Sequence, residues 1–420
     1  MTESSWPKIK LSEVCDSIVD CVNKTAPVVE YETPYKMIRT TNVKKGVVNL
    51  AGCRFVEKST FEKWTRRAVP KLGDVILTRE APLGDVGMIT TPNEYIFLGQ
   101  RLMQYRVNPE KLNAHYLLYA LQDTDLQGQL KAAGSGSTVE HIRVGDAENL
   151  LISLPPITHQ KRVGNLLRNY DNLVENNNRR IAILEDMAQS LYREWFVNFR
   201  YPNYEDNLDA DGSPKLIDSP LGQIPDGWEV KSAAEVITIN PKTKLVKEGE
   251  KPFVGMSGLS QGSMVIVDII EKTGNSGAKF INGDTLFARI TPCLQNGKTG
   301  YVQFLTPDKP VGFGSTEFIV LRESEYLSSE FIYLLSRSNN FREHAIQSMT
   351  GATGRQRVHN DCFASCYLPV PPKELMNEFT QVVKPMFKSI FNLSKRNENI
   401  KQQRDMLLPK LISGQIKLKD

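Results

Sequence analysis

Two stretches of this chain carry apolar residues at alternating spacings of four and three. The first runs Val163, Leu167, Tyr170, Val174, Asn177, Ile181, Leu184, Ala188, Leu191, Trp195. The second runs Phe379, Val383, Met386, Ile390, Leu393, Asn397, Ile400, Arg404, Leu407, Leu411. A sustained period near 3.5 residues is the seam of a coiled coil. The pattern predicts long helices over 158–199 and from 373 to about 413. Each seam has an asparagine near its centre. Set antiparallel with Asn177 opposite Asn397, every seam position meets another: Ile181 with Leu393, Leu184 with Ile390, Val174 with Ile400, Trp195 with Phe379. Tyr170 then faces Arg404, so the second polar intrusion meets a ring with a hydroxyl. A lone buried amide is costly, whereas a pair can hydrogen-bond and fix the register. The alternative is two separate surface helices, each lying on its own domain. Pro409 interrupts the second helix and weakens the Val163–Leu411 end of the register.

The rest of the chain reads as short strands bounded by Gly, Pro and Asn. In the first half these include Val47–Leu50, Val75–Thr78, Gly87–Thr90 and Leu102–Val107, followed by a helix pattern over 113–122. In the second they include Ser263–Asp268, Thr285–Ala288, Thr299–Gln303 and Glu317–Leu321, followed by a helix pattern at 328–337. The two halves retell each other. Lys-Leu-Gly-Asp-Val-Ile-Leu-Thr-Arg (71–79), then Leu154-Pro155-Pro156 and a helix, matches Phe-Ile-Asn-Gly-Asp-Thr-Leu-Phe-Ala-Arg (280–289), then Val370-Pro371-Pro372 and a helix. The offset is about 210–220 residues, half the chain, so the repeat is a pseudo-dimer and not a solenoid. Between the halves lies a linker, 200–227, rich in Asp, Pro and Gly. Its Asn207, Asp209, Asp211, Gly212 and Asp218 loosely mimic a calcium loop, but Pro214 and the lack of flanking helices favour a solvated turn. The expected class is α+β: two similar mixed domains joined by two long antiparallel helices with pseudo-two-fold character.

Composition narrows the function. The chain has 420 residues, too many for one ordinary core, and a formal charge of +4, for which placement matters more than total. Cys15, Cys21, Cys53, Cys293, Cys362 and Cys366 form no Cys-x-x-Cys and do not recur between the repeats, so they read as reduced thiols. Cys362 and Cys366 with His359 would need further ligands to hold zinc. The polar opening Met-Thr-Glu-Ser-Ser-Trp-Pro and the absence of long apolar runs point to a soluble, cytoplasmic protein without membrane contact. Walker A, dinucleotide-binding, His-Glu-x-x-His and Gly-x-Ser-x-Gly motifs are all missing. Asn240-Pro241 is followed by Lys-Thr and not by the aromatic pair of an amino-methyltransferase. Asp74 and Glu80 lack the Glu-x-Lys a nuclease would carry. No catalytic residue, cofactor or metal is expected.

Polar and basic residues instead gather in the loops of both halves. The DNA-binding candidates are Arg39, Lys44, Arg79, Arg101 and Arg143 in the first, and Lys242, Arg289, Lys298, Arg355 and Arg357 in the second. Arg and Lys, with Asn and Gln, read base edges, while Ser, Thr and Lys more often hold phosphate. The equivalent pair Arg79 and Arg289 stands out, as do the Gly-rich segments that precede Arg143 and Arg357. A structural role for Arg79 and Arg289, ending a core strand, remains the alternative.

Arg404-Asp405-Met-Leu-Leu-Pro-Lys-Leu-Ile-Ser-Gly414-Gln-Ile, Leu154-Pro-Pro-Ile-Thr-His-Gln160 through Trp195-Phe196, and Gly222-x-Ile-Pro-x-Gly-Trp228 together resemble the specificity (S) subunits of type I restriction-modification systems. The resemblance covers essentially the whole length. One departure is Gln415, where the family often has an acidic residue. The resemblance implies target recognition domains at 1–157 and 228–372, a central long helix at 158–199, the linker 200–227 and a distal helix and tail at 373–420. Each domain would read half of a bipartite, asymmetric target in double-stranded DNA. The helices would set the spacer and dock two methyltransferase subunits, with restriction subunits joining the full complex. Helices of about 40 residues span roughly 60 Å, and major-groove faces recur about every 34 Å. The rival reading is a protein-interaction scaffold or silent copy without DNA preference. A self-contained methyltransferase or nuclease is the third.

Overall fold

The computed structural model describes residues 6–92, 95–134, 140–208, 215–352 and 354–418. The chain divides into two units, one built from residues up to Val174 together with those from Asn399 onward, the other from Glu175–Glu398. Both are α+β, as the mixed pattern predicts.

In the first unit, strands β1 (Cys15–Asp20), β2 (Val75–Arg79), β3 (Leu83–Met88) and β4 (Leu102–Val107) lie in the order β1-β4-β2-β3, continued by Gly46–Val48 and Val43–Lys44. β2 and β4 are antiparallel, with Leu102 opposite Thr78 and Tyr105 opposite Val75. Val75, Leu77, Met103 and Tyr105 enter one apolar cluster. Ile76 and Leu102 enter a second, with Ile38, Ile89 and Ile96. Period-two placement therefore buries both faces, which is why β2 reads as a continuous apolar run. Helix α1 (Ala114–Ala120) covers the first face and is capped by Asn113, whose side chain accepts from Tyr116 N at 3.0 Å. Helix α2 (Ile157–Phe196) follows. Buried Gln160 ties its start to the unit, accepting from Asn113 N and donating to the Lys111 and Pro155 carbonyls.

The second unit repeats this order. Strands β5 (Thr238–Ile239), β6 (Thr285–Ala288), β7 (Thr299–Tyr301) and β8 (Phe318–Arg322) lie as β5-β8-β6-β7. Phe287, Ile319 and Leu321 join the cluster beneath helix α3 (Ser329–Arg337). Leu286, Phe318 and Val320 join the opposite one. Trp228 seats the entry to this unit against Phe196 and Phe199, with ring centroids 6.0 and 5.4 Å away.

The repeated Gly-Asp has a single physical explanation. Gly73 and Gly283 turn the chain at φ 88° and 92°, a region costly for residues with a Cβ. The following aspartate is buried and accepts from the backbone three residues back, Asp74 from Lys71 N and Asp284 from Ile281 N. It then takes two bonds from an arginine on the adjacent strand. Arg106 reaches Asp74 at 3.0 and 2.7 Å, and Arg322 reaches Asp284 at 2.6 and 2.7 Å. Asp74 is thus a structural anion, not a nuclease carboxylate.

The second long helix, α4, is Lys373–Ile412, 40 residues like α2. The two helices pack antiparallel. Within the second unit, Asn177 Nδ2 donates to Asn397 Oδ1 at 2.8 Å, and Asn397 Nδ2 donates to Asn178 Oδ1 at 2.9 Å. Ile181, Ile390 and Leu393 are buried beside them, and Trp195 meets Phe379 at 5.5 Å. Within the first unit, Val163, Leu167 and Leu411 are fully buried in one cluster.

Three expectations change. Residues 263–268 form no strand; the strand of that stretch is Ile269–Lys272. Pro409 does not interrupt α4, which runs on to Ile412; its missing N–H falls in the last turn, where burial of Leu411 and Ile412 in the first unit's core holds the backbone. Gly414 then closes the end at φ 78°, with Ile416 N donating to Lys410 O. Arg404 is also not answered by the Tyr170 hydroxyl. Its guanidinium pairs with Asp171, one residue on, whose other oxygen accepts from Tyr119 Oη. Burial and that carboxylate push the Tyr119 hydroxyl's pKa up, so it stays a donor.

Candidate nucleic-acid interface

Arg79 closes β2, and Arg289 directly follows β6. Their backbones are held identically. Arg79 N donates to Arg101 O, and Arg79 O accepts from Ile142 N. Arg289 N donates to Glu317 O, and Arg289 O accepts from Val358 N. Each arginine is half-buried, and each has its Nε buried without a hydrogen-bond partner among the described residues. A buried donor left unmade costs about 1–3 kcal/mol, and here the cost is incurred twice at the same position.

The surroundings differ. In the first unit Glu80 bridges His141, and Arg101 approaches Glu80 at 3.4 Å. Arg101 is exposed and sits at φ 70°, a conformation uncommon for residues with a Cβ. In the second unit Ile290 bridges Arg357, whose guanidinium bonds Glu317 through both oxygens at 3.0 and 2.6 Å. Around a constant arginine, the acid follows it directly in the first unit (Glu80) and occupies the place of Arg101 in the second (Glu317), with the base there at Arg357, the place of His141.

The other candidates are distributed as follows. Arg39 follows a strand that runs parallel to Ile96–Leu98, with Ile38 opposite Leu98, so its end of that strand pair is also the one leading to Arg101. One Arg39 nitrogen donates to Gly52 O and its Nε is buried without a partner. Arg143 is exposed two residues beyond His141, and Arg355 is exposed two residues before Arg357. The structure therefore gathers Arg79, Arg101 and Arg143 in one unit, and Arg289, Arg355 and Arg357 in the other. Lys44 is exposed on the sheet-edge strand Val43–Lys44. Lys242 is exposed next to Thr243, which accepts from Arg322. Lys298 turns inward, its Nζ donating to Met256 O at 3.0 Å. Of the Gly-rich segments, residues 135–139 and 353 lie outside the described residues, as do 209–214 of the calcium-like stretch. Gly351 and Gly354 take φ 119° and 80° in the turn that pairs Thr350 with Arg357.

Glu80 and Glu317 belong to this site although a search for basic residues passes over them. The signal was available for Glu317, which leads into β8 as Arg101 leads into β4. Among the described residues, no three His, Cys, Asp or Glu side chains converge as a metal site, and the six cysteines are unpaired. Among the same residues, no helix is long and apolar enough to cross a membrane.

A family model described as the type I restriction modification DNA specificity domain matches residues 3–186 and 225–404. The chain is 25% identical over 386 residues to the type I restriction enzyme MjaIX specificity subunit of Methanocaldococcus jannaschii, covering 88% of this chain and 83% of that one. It is 35% identical over 156 residues to the EcoEI specificity subunit of Escherichia coli, 36% of this chain and 26% of that one. In fold it is similar to the crystal structure of a type I restriction-modification S subunit from M. genitalium, at a TM-score of 0.55 and 16% identity, over 98% of this chain and 97% of that one.

Proposed function

This chain belongs to the type I restriction-modification DNA specificity family, and on that premise we propose that it reads a bipartite, asymmetric target in double-stranded DNA, one half with each unit. It is the non-catalytic specificity component of such an enzyme. The observation that carries the bipartite reading is the repeated strand order around Arg79 and Arg289, with different neighbours in each copy. One scaffold used twice with different polar surroundings suits two half-sites of different sequence. The recognition domains are placed at 1–157 and 228–372, joined by the helix 158–199, the linker 200–227 and the distal helix and tail 373–420.

In this reading the long helices set the spacer between half-sites and dock two methyltransferase subunits, with restriction subunits completing the complex. Their lengths, about 60 Å at 1.5 Å per residue, support the first role. Exposed apolar residues support the second: Leu173, Ile183 and Met187 on α2 and Met406 on α4. A cytoplasmic setting follows from DNA as the ligand.

The test is a DNA titration of the chain assembled with its modification subunits, repeated over a salt series. Sequence-specific binding whose affinity falls log-linearly with salt supports recognition. Assembly without DNA preference would support a scaffold instead.

A further inference from the structure

We propose that Arg79 and Arg289 are the constant half of a duplicated DNA-gripping centre. Each holds a backbone phosphate, and three flanking positions select the neighbouring base: Glu80, Arg101 and His141 in one copy; Ile290, Glu317 and Arg357 in the other. This rests on the DNA-recognition reading and divides the labour within it.

The correspondence is fixed by hydrogen bonds and not by sequence likeness. Arg101 O and Glu317 O receive the arginine's N–H; Ile142 N and Val358 N donate to its carbonyl. The residues just before those two donors, His141 and Arg357, bridge the residues just after the arginines, Glu80 and Ile290. Three positions thus surround each arginine with matched backbone geometry.

Two half-sites of different sequence share only their sugar-phosphate backbone. A residue common to both readers therefore meets what is common, and residues that differ meet what differs. Among the described residues both arginines carry a buried Nε–H with no acceptor, and both side chains are half-buried. A planar guanidinium in that state matches a phosphate's oxygens. The flanking positions carry base-reading chemistry in different arrangement. In the second unit Glu317 grips Arg357 through two bonds and fixes the plane of a half-exposed guanidinium. An arginine so oriented is the usual partner of guanine O6 and N7. In the first unit the cation stands instead at Arg101, where the second unit has the acid. Glu80 corresponds to Ile290 and His141 to Arg357, so the acid and the cation each stand one position further round in the second copy, and the two copies offer different groups to the neighbouring base.

The experiment uses the chain assembled with its modification subunits and fluorescent duplexes carrying the mapped target or single-base changes. Thermal unfolding and assembly are checked for each variant. Arg79→Gln and Arg289→Gln should each weaken binding roughly tenfold or more. The loss should be alike on matched and mismatched duplexes, and the salt slope should become shallower by about one. Arg79→Lys and Arg289→Lys should keep most of that slope, since an ammonium still neutralises a phosphate. Arg357→Gln should relax preference at one position of the second unit's half-site and leave the other half-site unchanged. Unchanged affinity and slope in both the Gln and Lys variants would overturn the proposal. So would loss of preference at a single base on changing Arg79 or Arg289. Absence of any sequence preference in the unaltered chain would overturn the DNA reading itself, a different outcome from normal specificity with insensitive arginines.

Discussion

Asn177 Nδ2 donates to Asn397 Oδ1 at 2.8 Å inside a seam otherwise filled by side chains such as Ile181, Leu393 and Ile390. Both amides are buried. Asn177→Leu alone leaves the buried Asn397 Oδ1 without its donor, while Nδ2 keeps Asn178, and should cost about 1–3 kcal/mol in urea unfolding. Asn177→Leu with Asn397→Leu should recover most of that loss. If the double variant is as unstable as the single one, the amide pair is not what the seam depends on.

Asp284 takes two bonds from Arg322 and one from Ile281 N, with no solvent exposure of its own. Removing the carboxylate leaves a largely buried guanidinium without its partner. Asp284→Ala should destabilise the second unit by about 3–5 kcal/mol. Asp74→Ala should do the same in the first unit through Arg106. Hydrogen exchange read unit by unit checks this, the expected result being loss of protection confined to the unit that carries the change.

Arg404 reaches past the seam to Asp171, which also accepts from Tyr119. Arg404→Leu suits the apolar period of the seam but leaves Asp171 with one partner fewer. A loss of about 1–3 kcal/mol is expected. Arg404→Leu with Asp171→Leu should be milder. Comparable urea midpoints for Arg404→Leu and the unaltered chain would show that the pair adds nothing to stability.

Much of this was legible in the chain. The spacing of Val163 through Trp195 and of Phe379 through Leu411 carries both helices and their register, because coiled-coil packing repeats faithfully along a sequence. The two Gly-Asp turns likewise announce the duplicated strands. Arg404's partner was not legible. Period alone sets Tyr170 opposite, but a long cationic side chain goes to the adjacent carboxylate that side-chain reach and charge favour. The pairing of Arg101 with Glu317 was hidden for another reason. The connection between β6 and β8 is longer than that between β2 and β4, so only the backbone hydrogen bonds align them. Lys298 read as a surface base because nothing in its neighbours reveals the Met256 carbonyl that takes it inward.

The ruler role makes a length prediction. One heptad added to both α2 and α4 at matched seam positions keeps the register and lengthens the pair by about 10 Å. The spacer between half-sites should grow by about 3 base pairs. Methylation mapping of the lengthened protein's target reads this directly, and an unchanged spacer would remove the helices from spacing.

The most direct test exchanges residues 6–157 for the corresponding domain of another specificity subunit and maps the methylated target genome-wide. One half-site is expected to take the donor's sequence while the half read by residues 228–372 and the spacer stay as they were. A target altered in both halves, or in neither, would contradict it.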